Sequence, residues 1–162
     1  MSESTRRALD TWSEGFEASL ELIERTEHSL WVVNHDLSGL LPERGDFPDA
    51  LLRCLRRLPA ERIHLVMRDV TPLLTRMPRM RRHLVDYAHV ASVRQTAPHH
   101  VKDMDRCIMI SDARHVLMRT RYDHPRAFVS FDDPAAAATE LPQIETIWHA
   151  ASNANIGAVL GL

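Results

Sequence analysis

Cysteine is scarce in this chain: Cys54 and Cys107 are the only two in 162 residues, and they form no C-x-x-C pair. That excludes a disulfide framework and a thiolate zinc module, and leaves two buried thiols as the expectation. Long apolar runs are missing as well, so no segment reads as a membrane span. The opening MSESTRRALD lacks the apolar and small-residue pattern of a secretory signal. A cytoplasmic protein of bacterial type is expected. An excess of one charge is also absent, because 20 basic against 22 acidic residues leave a net charge of -2. No global field then draws the chain to nucleic acid or anionic lipid, and any polyanion site must be local. There is no H-E-x-x-H, and the ten histidines are scattered without cysteine partners, so neither metal nor cofactor is expected.

What is present suits one globular domain: 44% apolar and 26% charged residues over a length that can bury a sizeable core. A first helix is expected from about residue 5 to about residue 27, since Leu9, Trp12, Phe16, Leu20 and Ile23 recur at helical intervals. SLWVVNHD then offers a short buried strand, and PDALLRCLRRL a second helix with Pro48 near its start. RIHLVMRD is a second strand, and Pro72 and Pro78 split the next segment into a turn and a helix. ASVRQT is a third strand, RCIMISD and HVLMRT form a hairpin, and AFVSF is a further short strand. Asp133 and Pro134 open a C-terminal helix that Pro142 is expected to restart. The tail over residues 153 to 162 reads as a loosely packed end. Strands separated by helices imply parallel pairing early, and close-set strands imply antiparallel pairing late. The fold class is α/β, a mixed sheet with helices on both faces.

This order of elements, with SLWVVNHDL early and DRCIMISDARHVLMRT late, resembles one half of the phospholipase D superfamily over most of residues 15 to 152. That family carries an H-x-K-x-x-x-x-D motif on a strand, followed by a turn and a strand with Gly-Ser. Two registers are open. In one, His100 and Lys102 take the motif's His and Lys, and Cys107 falls at the acid. In the other, which keeps the apolar IMIS between the pair and the acid, Asp105 and Cys107 stand at His and Lys and Asp112 at the acid. The second is preferred. Met118, Arg119 and Thr120 stand where Gly-Ser would be.

In the resembling family a histidine attacks phosphorus and a lysine stabilises the developing charge. Asp105 would present a like charge to a phosphodiester, and Cys107 no cation. The resemblance therefore implies a non-catalytic module that binds an anionic or phosphorylated ligand or a protein partner. A phosphodiesterase or nuclease using His100 and Lys102 is the alternative, and a purely structural partner of another polypeptide the third. Candidate anion-binding residues are Lys102, Arg106, Arg119, Arg121 and His35. Arg119 and Arg121, two apart, are expected on one strand face. Against this stands the reading that the arginines pair with Asp105, Asp112, Asp123 and Asp132. His35 and Asp36 lie where open α/β sheets present ligand residues. Arg76, Arg79, Arg81 and Arg82 read as a solvated helix face, and no interleaved aromatics argue for nucleic acid. The resemblance also implies a two-fold homodimer, or a partner such as an acetyltransferase domain.

Overall fold

The computed structural model describes residues 5 to 97 and 105 to 157. In chain order the elements are β1 (Thr5–Leu9), α1 (Trp12–Arg25), β2 (Leu30–Asn34), a 3-10 turn (Ser38–Leu40), α2 (Phe47–Arg57), β3 (Ile63–Met67), α3 (Thr71–Arg76) and α4 (Pro78–Asp86). They continue with β4 (Ala91–Gln95), β5 (Cys107–Ser111), β6 (His115–Arg119), β7 (Ala127–Phe131), α5 (Pro134–Ala150) and β8 (Ser152–Asn153). All eight strands join one sheet in the order β1-β7-β6-β5-β2-β3-β4-β8. The β2, β3 and β4 pairs are parallel and the others antiparallel. The expected mixed sheet with helices on both faces is the fold observed.

Strand alternation builds two cores. Leu30 and Val32 of β2, Met109 of β5 and Leu117 of β6 face α1, α2 and α4, whereas Val33, Ile108, Ile110, Val116 and Met118 face α5. On the first face Leu22 and Ile23 of α1 are buried against Leu51 and Leu55 of α2. Each such side chain contributes about 1.5–3 kcal/mol over its exposed state. On the second face His64 stacks on Trp31 with ring centroids 4.1 Å apart, and Trp148 of α5 meets both edge-on. Arg94 lies 4.1 Å over the Trp148 ring and donates from Nη1 to the Trp148 carbonyl at 2.9 Å, which ties the end of α5 to β4. Among the described residues no helix is long and apolar enough to cross a membrane.

Three local expectations change. Residues 5 to 9 are strand β1 and not the first turns of a helix, because Thr5 to Leu9 pair with Phe131 to Ala127 of β7. Ala, Leu and Arg favour a helix locally, and a distant sheet edge overrides them. Helix α1 starts at Trp12 because Thr11 caps it, accepting the Glu14 N–H at 3.1 Å. Pro142 lies inside a single helix α5 and does not restart it. The tail is ordered further than expected: β8 pairs with Arg94 and Gln95, and Ile156 is buried in the first core, while residues 158 to 162 lie outside the described part.

Candidate functional site

The carboxyl end of β2, the first residue of β5 and the last residue of β6 meet at one end of three neighbouring interior strands. Asn34 of β2 turns the chain by accepting the Leu37 N–H at 2.9 Å, which leads through His35 and Asp36 to the 3-10 turn. Asp36 is occupied within this turn, accepting the Ser38 N–H at 2.9 Å. Cys107 of β5 and Arg119 of β6 are directly paired across the ladder. Both side chains point to the α1 face, in register with Met109 and Leu117.

Cys107 is 7% exposed. Burial pushes its thiol above the ordinary value, opposed by the His35 backbone N–H and by Arg119. In the preferred register this neutral thiol takes the place of the motif's lysine. Asp105 is exposed, and its carbonyl accepts the Tyr122 N–H at 2.7 Å.

Asp112, placed at the motif's acid, is a backbone anchor. Its carboxylate accepts the N–H groups of Glu27 at 3.0 Å, His28 at 2.7 Å and Ser29 at 3.0 Å, closing the turn between α1 and β2. Asp112 and Ala113 both take left-handed backbone, with φ of 56° and 54°, which makes the β5–β6 hairpin tight.

The five candidates for anion binding separate. Arg106 is committed to α5, donating to Gln143 at 2.6 Å and pairing with Glu140 at 3.4 Å. Arg121 pairs with Asp123 at 3.2 Å. It lies beyond the end of β6, so it does not share a strand face with Arg119 as the two-residue spacing suggested. Lys102, and with it His100, lies outside the described residues. His35 is stacked on Tyr122 with centroids 3.9 Å apart, and its Nδ1 is buried without a hydrogen-bond partner.

Arg119 differs from all of these. It is 4% exposed, its Nε has no acceptor, and burial lowers its pKa. Its guanidinium lies 4.6 Å over the Trp12 ring. Two glycines make room for it: a Cβ on Gly15 would stand 2.6 Å from Nη2, and one on Gly39 3.2 Å from Nη1. The expected pairing with acids holds for Arg121, which meets Asp123, while Asp132 pairs at 3.1 Å with Arg114, which was not a candidate. Among the described residues it does not extend to Arg119. Gly15, Gly39 and Tyr122 were not singled out from the sequence, and Trp12 was read only as part of an apolar helix stripe. The one available signal was Gly15, which interrupts a helix-favouring stretch without a turn to explain it. In the basic segment Arg79 and Arg82 form exposed pairs with Asp49 and Asp86, while Arg81 donates to the Ile156 carbonyl at 2.8 Å.

Comparison with known proteins supplies the context. A family model described as a domain of unknown function (DUF7931) matches residues 11–155. No curated protein matches the chain. Among solved structures, Nuc from Salmonella typhimurium, a phospholipase D family member, is 13% identical with a TM-score of 0.66, covering 94% of this chain and 99% of that one. NucT from Helicobacter pylori is 9% identical with a TM-score of 0.67, covering 94% and 100%. TrmBL2, an archaeal chromatin protein described by a novel mode of DNA binding, is 14% identical with a TM-score of 0.66, covering 92% of this chain. This chain spans about half of that protein, 54%. The fold is phospholipase D-like.

Proposed function

The chain belongs to the DUF7931 family, and from that premise we propose that it is a non-catalytic phospholipase D-like domain, a binding or regulatory module for an anionic ligand or a protein partner. The observation that supports this reading is the pair Asp105 and Cys107. An exposed carboxylate and a buried thiol occupy the positions that would need a nucleophilic base and a cation. Burial also holds the thiol protonated, so it is neither a nucleophile nor a charge for a phosphodiester. One neighbour of the same fold is described by DNA binding, which supports use of this scaffold for binding an anionic molecule.

Purified protein incubated with bis(p-nitrophenyl) phosphate, phosphatidylcholine or DNA is expected to show no hydrolysis above background. Turnover abolished by His100→Ala would replace this reading with a phosphodiesterase or nuclease that uses His100 and Lys102. We further propose a two-fold homodimer with the strand ends near residues 100 to 121 facing the axis, burying on the order of 1,200–2,000 Å² in total. Light scattering over a concentration series tests it. A monomer mass at high micromolar concentration points instead to a different polypeptide, such as an acetyltransferase domain, on that face.

A further inference from the structure

The sheet ends on one side in a strand that no other described strand covers. The strand order begins with β1 and closes with β8, so each of these two has one free side. β8 is two residues long and offers little to pair with. β1 is five residues long, and its outer side presents the N–H and C=O groups of alternate residues without a strand partner among the described residues. Arg6, Arg7 and Ala8 are exposed. Charged side chains commonly guard such an edge, but here both arginines fold back onto the chain's own surface. Arg6 lies 4.1 Å over the Phe128 ring, and Arg7 donates to Glu21 at 2.9 Å. The edge is left open.

The two faces beside that edge differ in chemistry. On one, a groove of about 320 Å³ runs between β1 and α1, lined by Arg7, Leu9, Ser13, Glu14, Glu17 and Glu21. Glu14, Glu17 and Glu21 follow at three- and four-residue intervals and form one row along α1. Arg7 and Arg25 share Glu21, whereas Glu14 and Glu17 are exposed and meet no base among the described residues. At a rise of about 1.5 Å per residue the row sets an acid roughly every 4.5–6 Å, close to the roughly 6.6 Å between same-face side chains of a strand. On the other face Ala8, Phe128 and Met118 are register partners across β1, β7 and β6. With Arg6 and Thr120 they line a hollow of about 420 Å³ to which α5 contributes no residue.

We propose that β1 is a docking edge for an extended segment of a partner protein, which adds to the sheet as a strand whose alternate side chains are basic and apolar. Side chains of an added strand alternate between faces, so one set enters the acidic groove and the other the hollow floored by Phe128 and Met118. Backbone pairing with β1 supplies the affinity, and the two grooves the selection. A second copy of this chain suits the edge less well. An antiparallel β1–β1 pair about a two-fold axis keeps like faces together, so it sets both α1 acid rows on one side with only Arg7, already held by Glu21, between them. The inference goes beyond the non-catalytic reading and holds whether or not the strand ends hydrolyse a phosphodiester.

The test is fluorescence anisotropy and amide hydrogen exchange of the full chain with a short, end-capped peptide of alternating lysine and valine. Saturable binding that slows exchange at alternate amides of residues 6 to 9 is expected. Methylating every N–H of the peptide should abolish it, because the added strand then has no donors. A peptide of alternating glutamate and valine should bind at least about tenfold more weakly, and added salt should weaken the lysine peptide. Glu17→Lys, an exposed change that leaves the core untouched, should weaken the lysine peptide about fivefold. Undiminished binding of the methylated peptide, equal binding of the two charge patterns, full affinity in Glu17→Lys, or no binding at millimolar peptide would each overturn the proposal. Light scattering on the same samples identifies the occupant. A dimer that the peptide dissociates would put a second copy on β1 and overturn the partner strand, whereas a mass unchanged by peptide binding supports it.

Discussion

Asp112→Ala tests the acid that the preferred register sets at the end of β5. In the folded protein its carboxylate holds three successive backbone N–H groups, those of Glu27, His28 and Ser29, at 2.7 to 3.0 Å. A charge-assisted hydrogen bond contributes about 1.5–3 kcal/mol when dry. Two of these three are exposed, so water replaces much of what alanine removes. Alanine must also keep the left-handed backbone at this position, φ 56°, which costs it about 1 kcal/mol. The expected loss is about 3 kcal/mol, or a fall in Tm of roughly 6–12 °C for a chain of this size. Asp112→Asn keeps one acceptor oxygen and tolerates the backbone, so about half that loss is expected. Urea unfolding with an unchanged m-value reads both. A loss below about 0.5 kcal/mol in Asp112→Ala would refute the anchor role, as would an asparagine variant no better than the alanine.

Native-state thiol labelling should be slow at both cysteines. Burial pushes Cys54 up to about 11, which leaves about a thousandth of it as thiolate at pH 8, and Cys107 is raised in the same direction. Fast labelling of Cys107 in folded protein would show that β5 is not buried as described. Stability should fall on acidification: burial lowers the pKa values of His64, His83 and His115 below the ordinary 6.5, so the unfolded chain binds protons first. Their contribution is complete above 6.5 and is lost as pH falls through the lower folded values, and His64→Asn should flatten the urea midpoint against pH below 6.5. Gly15→Ala should fail to stabilise α1, although alanine favours a helix by about 1 kcal/mol, because its methyl meets the Arg119 fork. In an Arg119→Met background the same change should stabilise by about that amount, and additive effects in the double-mutant cycle would contradict that contact.

The sequence by itself determined the alternation of strands and helices, the parallel run β2, β3, β4 and the β5–β6 hairpin. Each is written in a local period: the spacing of Trp12, Phe16 and Ile23, the apolar runs LWVV and IMIS, and the short polar turn between Ser111 and His115. It also marked Arg119 as a candidate cation. Tertiary structure alone decided that residues 5 to 9 are strand, because their partners are 127 to 131, and no local propensity reports a sheet edge more than a hundred residues away. It decided which of the three candidate arginines lacks an acid among the described residues. Arg106 and Arg121 find Glu140 and Asp123, while the guanidinium of Arg119 is enclosed by Trp12, Gly15 and Gly39 from two other segments. Desolvation of a charge depends on everything packed around it, and that surrounding is assembled from residues far apart in the chain.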